Sequence, residues 1–158
     1  MTLSEMQDQA HYLISQDPAA TTNYVTDAQF TIFANDGVEV LCRLGKIYEC
    51  AGSITLASGT AYYVYPTSNT IPTSPVAVTT VDVFDVVHDT SGASLTYMNP
   101  KDKGKTYVEG SLPMWWYLFG SRIWLHPTPG TAEVGNTCTV LFYGVPSTAL
   151  SGASDTPP

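Results

Sequence analysis

Any chemistry in this sequence would have to come from three histidines, three cysteines and the carboxylates near them. His11 falls on a helical pattern, whereas His88 and His126 each end an alternating run, and their separations match no single metal site. Cys42, Cys50 and Cys138 make no Cys-x-x-Cys pair and no Cys/His cluster, which reads as buried free thiols in a reducing compartment. Asp82 and Asp85 lie on one predicted strand at odd separation, so strand alternation sends them to opposite faces and denies them a joint acid–base role. The sequence has no Gly-x-Ser-x-Gly elbow for a nucleophile and no glycine loop of phosphate-binding spacing. Lys101, Lys103 and Lys105 enclose Asp102 and Gly104, the make-up of a solvated loop. The expectation is a protein that is not an enzyme, with no catalytic, cofactor-binding or metal-binding residue and no cofactor.

The densest signal is aromatic: Trp115, Trp116, Tyr117, Phe119 and Trp124. On a strand, Trp115, Tyr117 and Phe119 share one face while Trp116 takes the other. Such a strand is either buried on both sides, in a core or between subunits, or presents a surface on which a sugar or a partner stacks.

The elements that must position these residues are two helices followed by strands. Residues 2–16 carry Leu3, Met6, Ala10, Leu13 and Ile14 on one face, and Thr2 with Glu5 has capping-box spacing. Residues 26–44 open on a second capping box, Thr26 with Gln29, and place Phe30, Phe33, Ala34, Gly37, Leu41 and Leu44 at helical spacing, with Gly45 as the expected stop. The two are expected to pack as a hairpin through Leu3, Met6, Leu13, Phe33 and Leu41. From Lys46 onward the period approaches two, and strands are expected at 47–56, 61–65, 78–88, 94–98, 114–119, 122–126 and 137–143. Gly120-Ser121 is the sharpest hairpin turn, and Pro100 suits the first position of a helical turn within 99–105. The predicted class is α+β: a single domain over 1–158, with an N-terminal helix hairpin (1–45) packed on a small antiparallel β barrel or sandwich (46–146) and an extended tail (147–158).

Charge narrows the partners. Six basic against fourteen acidic residues leave a net charge of −8, and only 13% of residues are charged while 44% are hydrophobic. No basic stripe exists that could neutralise several phosphates, so a surface that grips duplex DNA is not expected, whereas a surface past which DNA slides is compatible with like-charge repulsion. No leading basic-then-apolar segment and no run of ~18 apolar residues occurs, so the expectation is cytoplasmic synthesis with neither a secretion signal nor a membrane span.

The order of several segments carries a resemblance. Tyr24-Val25-Thr26-Asp27-Ala28-Gln29-Phe30 opens a helix that continues through Ala34-Asn35-Asp36-Gly37-Val38-Glu39-Val40-Leu41. A strand, glycine turn and strand follow over 51–66, then a hairpin over 116–129 ending in Pro127-Thr128-Pro129, then the closing strand Leu141-Phe142-Tyr143-Gly144-Val145-Pro146 and the tail Asp155-Thr156-Pro157-Pro158. This order resembles the head-to-tail adaptor (connector) proteins of tailed bacteriophages over nearly the whole chain. The resemblance implies a virion structural subunit that forms a homo-oligomeric ring, commonly a dodecamer, under the portal protein. Such a ring extends the DNA channel, lets the genome pass without specific binding, and offers a platform to a tail or nozzle protein. With the acidic excess, it makes the loop carboxylates Asp89, Asp102 and Glu133 candidates for the lumen, and Trp115, Trp116, Tyr117 and Trp124 candidates for core or subunit interface. A carbohydrate- or protein-binding β module of a phage tail is the alternative, and would show Trp115, Trp116 and Trp124 exposed and coplanar.

Overall fold

The computed structural model describes residues 1–14, 25–71, 76–102, 112–147 and 149. Most of the expected tail (147–158), all but residues 147 and 149, and much of the loop between the helices lie outside the described residues. Helix α1 spans Leu3–Leu13 and α2 spans Asp27–Gly45. Both begin where the sequence provides a reciprocal cap: the Thr2 hydroxyl accepts from the Glu5 N–H at 3.3 Å while the Glu5 carboxylate accepts from the Thr2 N–H at 2.7 Å. Thr26 and Gln29 repeat the arrangement on α2 at 3.3 and 2.9 Å. The end of α2 departs from expectation, because Gly45 remains helical and Lys46 takes the left-handed conformation, φ 48°. That backbone costs a non-glycine residue about 1 kcal/mol. The Lys46 ammonium is held by Asp82 at 2.5 Å and lies 5.9 Å from the centre of the Tyr143 ring, which fixes the side chain where the helix turns into the sheet.

Among the described residues nine strands follow: β1 Glu49–Thr55, β2 Tyr62–Val64, β3 Ser68–Asn69, β4 Val76–His88, β5 Ala93–Ser94, β6 Thr96–Tyr97, β7 Trp115–Leu118, β8 Arg122–His126 and β9 Thr137–Pro146. Single 3-10 turns occupy Pro100–Asp102 and Thr131–Glu133. One sheet runs β1-β9-β4-β3 with β5 on β4, and the other runs β2-β8-β7-β6. Among the described residues all pairings are antiparallel except β6 with β7, which is parallel, and β3 forms between the strands expected at 61–65 and 78–88, where none is expected. Neither sheet closes on itself, so the barrel alternative is wrong. Ile54, Leu56, Val83 and Val86 with Cys138, Val140 and Phe142 from the first sheet meet Trp116, Ile123 and Leu125 from the second in one core cluster, as two stacked sheets do. Glycine is required at Gly52, where a side chain would collide with the Pro66 ring, and at Gly120, where φ is 61° in the β7–β8 turn.

Of two register shifts in β4, between Thr80 and Asp82 and between Val83 and Asp85, the second lies between the aspartates and overturns the expectation about them. Each bulge adds a residue and resets the alternation. Asp82 therefore pairs with Tyr143 and Asp85 with Leu141, two positions on one face of β9. They still form no acid–base pair, since Asp82 binds Lys46 and Asp85 accepts from the Ser94 hydroxyl at 3.0 Å.

The helices do meet, but not through the expected stripe. His11 Nε2 lies 2.9 Å from Asp27 Oδ1, and the Gln7 amide donates to the Asp27 carbonyl and to Thr31 at 3.1 and 3.2 Å. Of the five expected hairpin residues, Leu3 is buried and Met6 half-buried, whereas Leu13, Phe33 and Leu41 are exposed. The buried side of α2 is instead marked by Cys42, about 100° per residue away from that stripe, against α1 and β9. Periodicity identifies an apolar face without telling whether its own chain covers it.

Phe142→Ala should thus cost about 3–5 kcal/mol, since the ring is wholly inside the core, whereas Phe33→Asp should change the stability of the isolated subunit by no more than about 0.5 kcal/mol, the side chain being 62% exposed. Urea unfolding of the two variants at low protein concentration checks both. Equal losses would mean that Phe33 is packed.

Candidate functional site

The aromatic cluster divides by strand alternation. Trp116 points into the core, and its indole N–H donates to the Leu95 carbonyl at 3.1 Å. Its register partner Leu125 is on the same inner face, while Trp115, Tyr117, Trp124 and His126 share the outer one. There the Tyr117 and Trp124 rings stack at 5.9 Å with 15° between planes, Tyr62 follows at 5.0 Å, and the Arg122 guanidinium sits 4.3 Å from the Tyr62 ring centre. Trp115 faces His126 at 6.0 Å. Tyr117 is buried, and Trp115 and Trp124 are half-buried. The three tryptophans therefore cannot form one coplanar exposed platform, because Trp116 lies on the opposite side of its strand. The outer face is a row of interlocked rings that stiffens the second sheet, with Arg122, Tyr62 and Val64 exposed at its β2 edge.

The three lumen candidates fall in different environments. Asp89 is an exposed residue whose carboxylate accepts from the Thr137 hydroxyl at 2.5 Å and from the Thr139 hydroxyl and N–H at 2.7 and 3.0 Å, so it ties the loop after β4 to β9 while keeping its charge at the surface. Asp102 closes the 3-10 turn at Pro100–Asp102, its N–H donating to the Asn99 carbonyl at 2.9 Å. Glu133 corrects the expectation that it is a free loop carboxylate. It is only 8% exposed, its Oε2 lies 2.9 Å from His88 Nε2, and it accepts from the Asn136 amide at 3.0 Å. Its carboxyl is held below the usual carboxylate range, first by the hydrogen bond from the Asn136 amide; burial opposes this next, and the hydrogen bond and charge of His88 lower it further. The sequence offered no cue to this pair, since 45 positions separate its members.

The remaining reactive side chains are kept inert or apart. Burial raises the Cys50 thiol to about 11 and Cys138 to about 12, so neither is a thiolate at neutral pH. His11 is engaged by Asp27, His88 by Glu133, and His126 lies against Trp115. Among the described residues, no group of three or more His, Cys, Asp or Glu is placed to hold a metal ion, and no helix is long and apolar enough to cross a membrane. Among the described residues, large apolar side chains stay exposed in two places: Phe33, Val40, Leu41 and Leu44 along α2, and Tyr62, Val64 and Phe119 around the β2 edge and the β7–β8 turn. Large exposed apolar surface on a folded chain marks contact with other macromolecules.

An α+β subunit with bonded polar groups and uncovered apolar faces has the make-up of an assembly component. The SU10 adaptor protein family model matches residues 1–158, and the chain belongs to that family of phage head-to-tail adaptors. No curated protein matches it. Membership makes it a bacteriophage virion component that associates with other head–tail proteins.

The depressed Glu133 carboxyl gives a signed pH dependence. Its stabilisation is fully present above the ordinary carboxylate value of 4.5 and is lost as pH falls through the lower folded value. Glu133→Gln should accordingly be less stable than the parent at pH 7, with the gap narrowing as pH drops below 4.5, as thermal melts across pH 7 to 3 would record. A gap that stays constant with pH would mean that the carboxylate contributes nothing through its charge.

Proposed function

We propose that this protein is a non-catalytic subunit of a homo-oligomeric ring, dodecameric as the family resemblance implies, at the head-to-tail junction of a phage. The ring bridges the portal protein and a tail or nozzle protein and continues the DNA channel between them. The observation that carries the reading is the family match over the entire chain. Three physical features support it. Apolar surface is left uncovered on both the helical layer and the β2 edge, as a subunit with several neighbours requires. The formal charge of −8 lets a ring repel the passing genome rather than bind it. The carboxylate of Asp89 lies in the connection from β4 to β5 and that of Asp102 in the longer one from β6 to β7, and we assign these connections to the channel side. No membrane takes part in this role, and the subunit reaches the portal in the host cytoplasm.

The binding-module alternative loses its main support, because Trp116 is a core residue and Tyr117 is buried under its own sheet's contacts.

Two measurements test the role. Mixed with purified portal rings, the chain should sediment with them as a stoichiometric ring, and it should show no measurable duplex DNA affinity at ordinary salt, having no basic patch to release counterions. A chain that remains unassociated in the presence of portal rings, or one that binds DNA tightly and salt-sensitively, would overturn the proposal.

A further inference from the structure

We infer that the exposed stripe of α2 is a twofold contact between two copies of the free chain, packed as an antiparallel helix pair. Phe33, Gly37, Val40 and Leu44 repeat at intervals of four, three and four residues, the a/d spacing of helices that interlock side by side. Phe33, Val40, Leu41 and Leu44 are 53 to 81% exposed, and a side chain added at Gly37 would meet nothing within 4 Å, so the whole stripe is open. That spacing suits another apolar helix as the occupant.

The pattern itself favours a second α2. Four-three-four reads the same in both directions, so an antiparallel copy brings Phe33 opposite the partner's Leu44 and Gly37 opposite the partner's Val40. The gap at the glycine is filled by the valine, twice, by symmetry. The flanks agree as well. Along one side of the stripe lie Asp36 and Arg43, both exposed; Arg43 already donates to Glu39 of its own helix at 2.7 Å, and antiparallel packing adds the partner's Asp36 to it at two equivalent places. Along the other side Ala34 meets the partner's Leu41. A parallel pair would instead set Asp36 beside Leu41 and leave both charges against apolar surface. Antiparallel helices also align their dipoles favourably.

A twofold contact closes on itself and cannot propagate a ring. It is thus a state of the unassembled subunit, separate from the ring contact of the proposed function and not dependent on it. It would cover the apolar stripe until assembly and hold free subunits back from open-ended association.

Sedimentation equilibrium of the full chain between about 1 and about 100 μM tests this. The wild type should dimerise, and Leu44→Glu should remain monomeric, its thermal melt matching that of the wild type at concentrations low enough to keep the wild type monomeric, because Leu44 is exposed in the single chain. Arg43→Asp should weaken the dimer about tenfold by facing the partner's Asp36, and adding Asp36→Arg should restore it. A wild type that is monomeric throughout, a dimer indifferent to Leu44→Glu, or a charge swap that fails to restore association would each overturn the inference. So would a chain that stays monomeric alone and whose α2 amides gain protection only when portal rings are added, since that places a portal helix on the stripe.

Discussion

Strand β9 is the constraint on which the rest of the molecule depends. Its ten residues alternate between the core and the outer face, and Cys138, Val140 and Phe142 are completely buried. It pairs along its length with β1 on one side and β4 on the other, so the first sheet exists only while β9 is in register. A one-residue slip would send Phe142 outward and Tyr143 inward. Asp89 guards against that slip at one end by binding Thr137 and Thr139, and Lys46 does so near the other by holding Asp82 opposite Tyr143. Helix α2 is placed by the same strand, since it packs on β9 and ends where Lys46 reaches it.

Much of this was legible in the residues. Capping boxes at Thr2 and Thr26 announce both helices because they are local, and alternation announces β1, β4, β8 and β9 to within a few residues. What stayed hidden was non-local. The bulge between Val83 and Asp85 reverses the parity of Asp85 relative to Asp82, and nothing in the sequence there signals an extra residue. The parallel β6–β7 pairing and the short β3 follow from what the neighbouring strands leave unpaired. Gly45 suggested a helix stop one residue early, because the ion pair that lets Lys46 adopt a left-handed backbone spans 36 positions.

The candidate site was legible in one respect and misleading in another. Reading Trp115 to Phe119 as a strand with rings on both faces describes the structure, and it places Trp116 in the core. Treating loop carboxylates as surface charge held for Asp89 and failed for Glu133, which His88 and Asn136 draw inward. The apolar stripe of α2 was visible as a pattern, but its meaning changed: a helix that buries Cys42 on its own sheet and leaves Phe33, Val40, Leu41 and Leu44 outside is shaped by contacts beyond the single chain.

An image reconstruction of the head-to-tail junction in the phage particle tests the central claim most directly. The account predicts copies of this chain closed into one ring between portal and tail, with β9 at the centre of each subunit's sheet, apolar faces covered by neighbours, and acidic connections facing the channel. Density for the chain as isolated copies on the outer surface of the particle, or a ring whose channel wall is lined by the apolar stripe, would contradict it.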